Sequence, residues 1–442
     1  MFVVVIEDID FKNNHFRNCS NVLSSEFSAE GLLKVLESLK GKEESVVITW
    51  ASTSFLDFSL IKKLNSAPNY DVMFIPNLPD YMEFEIWNVS FLIEKLKTLS
   101  TIKKPLRNSM TPLELDESLF FVDIYQPDIR LYRFDLSPDS LKGKMVLEEL
   151  YKHIDFSKEI PPQILDIIKT KPEIVIGIPT FYMLEVSNKK VGDEPIKRSW
   201  NFEFDNLSFK NFLEIFNKLR STSSEFSVAL GVYNEPLFND DIFKILEFVN
   251  SDGLDGVTFI VSTSLPYLDD KLIKFYEDSK GKKGYKSYSR FYIFANLPKL
   301  NSNRFNNVIN IVDKFKNIDN ERIFVRFVRD KESVRYLPEF YERMRGYNVI
   351  ISRTFDKELI DADNLLPTRV PCYKLQTSLV ILPNGDVPLC LNDLGLVNKL
   401  GNVFVDDVSN VVLGKAKYYK SHFFGNYEGV CSNCTLWDQY DL

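Results

Sequence analysis

The sequence has no long apolar run, no excess of basic charge and few histidines. No apolar stretch approaches the roughly 18 to 20 residues that a membrane helix needs. Lysine and arginine number 54 against 62 acidic residues, which gives a net charge of −8. Three separated histidines, His15, His153 and His422, have no catalytic motif beside them, which argues against a catalytic triad. We therefore expect a cytoplasmic protein that binds neither membrane nor nucleic acid.

Cysteine is also scarce, and its distribution is uneven. Five cysteines are present, and none occurs between Cys19 and Cys372. The other three are Cys390, Cys431 and Cys434, so four cysteines lie close to one end of the sequence. In a reducing compartment such a group indicates a metal site before disulfides. Cys19 alone is expected to be an ordinary thiol.

A chain of 442 residues is long enough for two or three domains, each with its own core. The spacing of apolar residues and turn residues predicts four segments. These are an N-terminal α/β domain over residues 1–130, a connector over 131–170 with a helix at Leu141–Tyr151, an α/β domain over 171–362, and a small domain over 363–442.

The first segment alternates β-rich runs with helical patterns, which predicts an α/β sandwich. The predicted strands are Phe2–Asp8, Ser45–Ala51 and Tyr70–Pro76, and the predicted helices are Ala29–Leu39 and Leu56–Leu64.

The middle segment alternates six predicted strands with helical patterns, and such alternation favours parallel strands joined by right-handed crossovers. Six units suggest an open, partial (β/α)6 barrel, whose ligands would bind at the carboxyl ends of the strands. The predicted strands are Glu173–Pro179, Ser227–Tyr233, Val257–Thr263, Arg290–Asn296, Ile323–Val328 and Asn348–Arg353. The predicted helices are Phe209–Leu219, Asp240–Asn250, Asp269–Tyr276, Arg304–Phe315 and Ser333–Met344.

The last segment is short and rich in turns. Val380–Leu382, a Pro-Asn-Gly-Asp turn and Val387–Leu389 together predict a β-hairpin. So small a domain needs a staple. Cys372, Cys390, Cys431 and Cys434 are suited to that role, because four thiolates can hold a zinc ion or an iron–sulfur cluster as a coordinatively closed site.

The spacing of these cysteines resembles that of a known family. Cys372-x12-Gly385-x4-Cys390, the following Leu400-Gly401-Asn402 and the CxxC of Cys431 and Cys434 are similar to the signature of SPASM domains in the radical SAM superfamily. Only one cluster's ligands are present, as in the shorter twitch variant. The resemblance implies one 4Fe-4S cluster on these four cysteines, with zinc as the alternative.

The same resemblance marks what the middle segment lacks. Radical SAM enzymes hold their catalytic cluster on a CxxxCxxC loop, and here Glu185–Asn188 resembles the lead-in to that loop. Lys190, Glu194 and Lys197 stand at the three cysteine positions, and a cationic lysine cannot replace a thiolate on iron. Reductive cleavage of S-adenosylmethionine (SAM) is therefore not expected. Overall, residues 170–442 look closest to the spiro-SPASM family.

Downstream of that loop, Gly231–Leu237 is similar to the segment that contacts the amino group of SAM. The resemblance makes Glu235 a vestigial SAM contact, and its structural alternative is a turn residue before the next helix.

The N-terminal segment has a fainter resemblance. Val46–Asp57, with Leu78–Trp87 later on, is similar to nucleotidyltransferases. Ser52 replaces the carboxylate that holds magnesium there, and Ile6–Asn14 contains no glycine to cradle a triphosphate. A degenerate, inactive domain is expected. Asp8, Asp10 and Asp57 are candidates for a different metal site. The alternative is that these carboxylates cap helices or are solvated.

Two functional hypotheses remain, and neither requires catalysis. The chain is a scaffold for a peptide or protein partner, stapled by the four-cysteine site, or it transfers electrons through a cluster at that site. The alternative, enzymatic hypothesis is nucleotidyl transfer by the N-terminal domain.

Overall fold

A computed structural model describes residues 2–7, 21–26, 28–65, 70–97, 120–122, 124–192, 200–266, 270–285, 288–353, 369–434 and 436–437. Within these residues the chain forms two compact units, Met1–Val175 and Ile176–Leu442. The predicted connector falls within the first unit. The second unit contains the predicted middle segment from Ile176 onward and the predicted C-terminal segment.

The first unit is built on a mixed six-stranded sheet in the order β2-β1-β3-β5-β4-β6. Strand β5 is antiparallel to both of its neighbours, and the other pairs are parallel. The strands are β1 Phe2–Glu7, β2 Val22–Glu26, β3 Ser45–Trp50, β4 Val72–Phe74, β5 Glu85–Asn88 and β6 Phe120–Val122. The helices are α1 Ala29–Leu39, α2 Phe58–Leu64, α3 Val89–Lys97, α4 Leu141–Tyr151 and α5 Ile160–Thr170, followed by the single turn α6 Glu173–Ile176.

Amphipathic helices cover this sheet. Leu32 and Leu36 of α1 and Leu92 of α3 pack with Val46 and Trp87 of the strands in one buried cluster. Removing such apolar area from water is the main stabilising term of folding, at roughly 25 cal/mol per Å². The predicted helices Ala29–Leu39 and Leu141–Tyr151 have the observed bounds.

The second unit is built on a seven-stranded sheet in which every pairing is parallel, in the order β12-β11-β10-β9-β8-β7-β13. The strands are β7 Phe181–Leu184, β8 Phe226–Leu230, β9 Val257–Thr263, β10 Phe291–Asn296, β11 Ile323–Arg329, β12 Asn348–Arg353 and β13 Ser378–Ile381. Between them lie α7 Phe209–Thr222, α8 Ile242–Val249, α9 Asp270–Asp278, α10 Arg304–Ile318 and α11 Leu337–Arg343. The predicted α/β fold with a parallel sheet is confirmed.

One predicted strand of this sheet is wrong. Glu173–Pro179 is apolar and β-branched, yet Glu173–Ile176 forms a helical turn and the first strand is Phe181–Leu184. Pro172 starts the turn, because its carbonyl accepts a hydrogen bond from the Val175 amide. Pro179 also lacks the N–H that an interior strand must donate.

The C-terminal segment joins the same sheet and then leaves it. Strand β13 pairs with β7, whereas β14 Asp386–Val387 pairs with β15 Gly401–Asn402. The turn of the predicted hairpin is present, and a hydrogen bond from the Leu382 amide to the Asp386 carbonyl closes it. The predicted pairing of the two strands with each other is wrong. The short helices α12 Lys374–Thr377, α13 Val408–Leu413 and α14 Ala416–Phe423 complete the unit.

The side of the sheet that this segment covers is called here the front face. Met183, Ala229 and Ile260 stand side by side on it in register. With Phe294, they form a cluster that includes Leu391 and Leu436 of the C-terminal segment. Opposite, aromatic residues of α7 and α8 pack on β9, with Phe216 against Phe248 and Phe259. Within the described residues, no helix combines the length and apolar character needed to cross a membrane.

Candidate metal centre

Three separate loops of the C-terminal segment carry the four predicted cysteines. Cys372 precedes α12 and its carbonyl accepts a bond from the Leu375 amide. Cys390 lies in the loop after β14. Cys431 ends a short 3-10 turn, Gly429–Cys431, and the Cys434 amide donates to its carbonyl at 3.3 Å. All four thiols are free, and Cys431 is buried whereas the other three are partly exposed.

The four thiols lie near enough for the charge of one to raise the pKa of another. Cys434 interacts with each of the other three, and Cys390 interacts with Cys372 and Cys431 as well. Among the described residues, no three His, Cys, Asp or Glu side chains stand close enough together to hold one metal ion. The ligand set therefore stays a prediction.

Burial makes these thiols hard to ionise on their own. It raises the pKa of Cys372 to about 12 and that of Cys431 to about 11, and it raises the pKa of Cys390 as well. In each case the next cause is repulsion by Cys434. Only the thiolate is a metal ligand, so the site favours thiolates only when a positive centre offsets burial and repulsion.

Hydrogen-bond donors surround the sulfur atoms. The Asn392 side chain donates to Cys434 Sγ at 3.2 Å, and its backbone amide lies 3.4 Å from Cys390 Sγ. The Leu436 amide donates to Cys434 Sγ at 3.3 Å. Donors to sulfur stabilise thiolate character and tune the potential of clusters.

One arginine lies beside the CxxC. Arg369 donates to the Cys431 carbonyl at 2.6 Å, and its guanidinium lies 3.7 Å from the centre of the Tyr427 ring. Its Nε is buried and has no hydrogen-bond partner within the described part of the chain. Buried donors are normally satisfied, so an acceptor on a bound group is a natural partner for this atom.

His422 supports the loop of Cys372 from the other side. Its Nδ1 accepts a hydrogen bond from the Cys372 amide at 3.3 Å, and its ring packs on Tyr427. Burial lowers the pKa of His422 to about 4, with the Arg369 charge as the second cause. The ring is therefore neutral at neutral pH and supports the loop through its unprotonated nitrogen.

The front face of the sheet holds the loop of Cys390. The Tyr233 hydroxyl donates to the Leu391 carbonyl at 2.7 Å, and Cys434 packs against the front-face cluster. Trp200 lies across Tyr233 and donates to Glu185 at 2.9 Å. The cysteine loops are thus fixed against the sheet by side chains that are far away in sequence.

The residues of the predicted SAM region make structural contacts. Glu185 is buried and accepts bonds from Trp200 Nε1 and from the Tyr233 amide. Glu235 is 3% exposed and accepts bonds from Thr263 Oγ1 and the Ser264 amide, both at 2.7 Å. Both carboxylate oxygens of Glu235 thus have protein donors. Lys190 lies over the Tyr233 ring at 5.9 Å, and Glu194 and Lys197 lie outside the described residues.

The N-terminal candidates are only partly within the described chain. Asp57 is buried and caps α2, where it accepts a bond from the Leu60 amide at 2.8 Å and another from the Ile160 amide at 2.6 Å. These contacts fit the capping role. Asp8, Asp10, His15 and Cys19 lie outside the described residues.

The sequence did not predict some of the polar residues that the structure brings together. Ser262, Asn296 and Arg326 meet on the front face, and Arg369 and Asn392 lie at the cysteine loops. Arg326 could have been found from the sequence, because it is a charged residue in the middle of the apolar strand Ile323–Arg329, which is unusual for a central strand. The remaining residues carried no signal, because their roles depend on long-range contacts.

Residues 372–435 match the family model of SPASM, described as an iron-sulfur cluster-binding domain. This segment of the chain is similar to SPASM domains. The predicted SPASM-like C-terminal domain is thereby confirmed over residues 372–435. We refer to residues 372–435 as the SPASM domain below.

An uncharacterized protein of Treponema pallidum (strain Nichols) is 27% identical over 129 residues. The match covers 27% of this chain and 35% of that protein, so it spans about a third of the relative's length.

Several solved structures are similar to this chain over part of its length. BtrN in complex with AdoMet and 2-DOIA has a TM-score of 0.37 at 13% identity, covering 58% of this chain and 93% of BtrN. Native anSMEcpe with AdoMet and the Cp18Cys peptide has a TM-score of 0.42 at 12% identity, covering 59% and 87%. Streptococcus suis SuiB bound to its precursor peptide SuiA has a TM-score of 0.40 at 15% identity, covering 64% and 76%.

Proposed function

We propose that the SPASM domain holds one 4Fe-4S cluster on Cys372, Cys390, Cys431 and Cys434 and that the protein uses it for electron transfer. One observation carries this proposal: the backbone and side-chain nitrogens of Asn392 contact the sulfur atoms of Cys390 and Cys434 at 3.4 and 3.2 Å. Two of the four free thiols thus lie around one residue, and Cys434 packs against the front-face cluster. Thiolates are the usual ligands of such clusters, and four of them leave no coordination position open.

The surroundings of the thiols support a charged inorganic group. The Asn392 side chain and the Leu436 amide donate to Cys434 Sγ. The buried Nε–H of Arg369 has no acceptor within the described residues. Such donors fit an assembly rich in thiolate and sulfide. Three of the four cysteines are partly exposed, which leaves the group near enough to the surface to exchange electrons with a partner.

Reductive SAM cleavage is not part of the proposed function. The sequence has no cysteine between Cys19 and Cys372, and that chemistry needs a second cluster in the middle segment. The carboxylate oxygens of Glu235 accept hydrogen bonds from Thr263, Ser264 and Leu237. We propose that Glu235 stabilises its turn and does not bind a ligand.

The direct test is the metal content and spectrum of protein purified without oxygen. We expect about four irons per chain, visible absorbance that bleaches with dithionite, and the electron paramagnetic signal of a reduced cluster. Cys431→Ser should lose most of the iron and melt at a lower temperature, because a structural metal site contributes about 10 to 16 kcal/mol in small zinc domains.

The matched control is Cys19→Ser, which should keep the iron content of the wild type. A colourless protein with one zinc per chain would remove electron transfer and leave a stapled scaffold for a peptide or protein partner. Iron retained in Cys431→Ser would show that the ligand set is wrong.

Nucleotidyl transfer by the N-terminal unit is the competing enzymatic function. It predicts magnesium-dependent binding of a nucleoside triphosphate, which calorimetry would detect. Because Ser52 stands where such enzymes hold magnesium on a carboxylate, we expect no heat of binding.

A further inference from the structure

Arg326 is a buried cation on the front face whose bonds go to neutral side chains. It is 6% exposed and lies on β11, opposite Asn296 of β10 in register. Its Nε donates to Asn296 Oδ1 at 2.6 Å, and its Nη2 reaches Ser262 Oγ of β9 at 3.3 Å. The guanidinium thus spans three neighbouring strands.

No acidic side chain within the described residues pairs with Arg326. Its pKa is lowered to about 10, and burial is the cause. A nearby carboxylate would raise that pKa instead. Two other buried arginines of this unit are paired with carboxylates, since Arg322 bonds Asp319 at 2.7 Å and Arg290 bonds Asp255 at 3.1 Å. Buried charges are normally paired, so the lack of a counter-ion sets Arg326 apart.

The polar atoms left over around Arg326 are donors. The Asn296 amide nitrogen already donates to Ser262 Oγ at 3.2 Å, and Asn296 Oδ1 accepts from Arg326. Ser262 Oγ accepts from both neighbours, which leaves its own O–H to donate. Arginine has five N–H donors, and two are used here. Excess donors around a fixed positive charge are suited to an anion.

Apolar rings surround this polar cluster. Phe294 and Phe324 precede Asn296 and Arg326 by two residues on the same face, and their rings meet at 5.3 Å. Tyr292, Phe324 and Ile350, which pack against the front-face cluster, are only partly buried, so the cluster is not closed to solvent at these residues. A low-dielectric surround strengthens charge pairing.

We propose that Arg326, Asn296 and Ser262 bind an oxyanion, the carboxylate or phosphate group of a small molecule, on the front face of the sheet. The planar guanidinium offers a pair of parallel donors to two oxygens of the ligand, and the Ser262 hydroxyl donates to one of them. The inference rests on the parallel sheet and not on the proposed cluster.

Thermal unfolding and calorimetry of the full-length protein test this site. The probes are sodium phosphate and sodium acetate, each compared with sodium chloride at equal ionic strength, because screening alone shifts stability. We expect the melting temperature to rise with phosphate or acetate beyond the chloride value, since a ligand that binds only the folded state stabilises it. Phosphate alone or acetate alone identifies which group the site prefers.

Two variants localise the effect. Arg326→Gln should weaken the binding of the effective anion roughly tenfold or more, because a hydrogen bond to a charged group is worth about 1.5 to 3 kcal/mol. Asn296→Asp places a carboxylate beside the guanidinium, so it should raise the melting temperature and abolish the anion effect. Asn296→Asp keeps the test decisive if Arg326→Gln does not fold.

Arg329→Gln is the matched control, because Arg329 lies on the same strand but on the opposite face. It should keep the anion effect. A wild-type protein with equal melting in all three salts, or an effect that survives Asn296→Asp, would overturn the proposal. Iron content should be unchanged in the front-face variants, so failure of this inference and failure of the proposed cluster are separately visible.

Discussion

Glu185 illustrates how burial and hydrogen bonding compete at one carboxylate. Backbone amides of Tyr233 and Val232 and the Trp200 indole donate to it. Burial nonetheless raises its pKa from 4.5 to about 7. The three donors are ones that a charged carboxylate prefers, but the side chain is 0% exposed, and loss of water outweighs them.

This shift predicts a pH-dependent stability. Between pH 4.5 and about 7 the folded state holds a proton on Glu185 that the unfolded state has lost. The contribution is therefore complete below pH 4.5 and is lost as pH rises through about 7. Glu185→Gln should remove this loss, so its stability relative to wild type should rise by about 3 kcal/mol from pH 4 to pH 8.

Urea unfolding at a series of pH values would measure the change. Glu37→Gln, at an exposed position of α1, serves as the control and should track the wild type. Parallel curves for Glu185→Gln and wild type would show that Glu185 titrates normally.

At the scale of elements, the turn before β14 depends on one glycine. Gly385 has φ +83°, and a Cβ there would lie 2.3 Å from the Phe404 ring and 2.7 Å from Asn402 Oδ1. Its amide donates to Leu382, and its carbonyl accepts from Val403. This turn ties β14 to the segment after β15 and thereby fixes the loop of Cys390.

Gly385→Ala should destabilise the protein by the cost of the left-handed conformation, about 1 to 2 kcal/mol, plus about 1 to 3 kcal/mol for overpacking. Gly41→Ala is a matched control, because Gly41 has φ +77° and nothing within 4 Å of an added Cβ. Denaturant midpoints of the two variants would separate strain from clash. Equal losses would mean that Phe404 moves aside at little cost.

At the scale of the whole molecule, each compact unit has a core of its own. Leu36 and Trp87 belong to the core of the first, and Met183 and Phe294 to the front-face cluster of the second. The proposed cluster belongs to the second unit, because all four cysteines lie after Ile176.

Loss of the cluster should therefore affect the two units differently. In Cys431→Ser, amide hydrogen exchange should speed up in peptides from residues 369–434, and to a smaller degree in the strands of the parallel sheet, while peptides from residues 28–65 stay unchanged. Mass spectrometry of exchange in the full-length variant measures this. Equal acceleration in both units would mean that they unfold together.

The sequence by itself determined much of the local structure and the likeness of residues 372–435 to SPASM domains. Alternation of apolar runs with helical spacing predicted β9 and β12 with the observed bounds, and the cysteine spacing predicted the SPASM domain that the family comparison found. These features depend on periodicity and on short-range spacing, which are written directly along the chain.

Only the tertiary structure decided the rest. The pairing of β13 with β7, the antiparallel insertion of β5 and the meeting of Arg326 with Ser262 each join residues far apart in sequence. The helical turn at Glu173–Ile176 likewise replaced a strand that its composition favoured. Strand propensity reflects the surface on which a segment packs, and that surface exists only once the chain has folded.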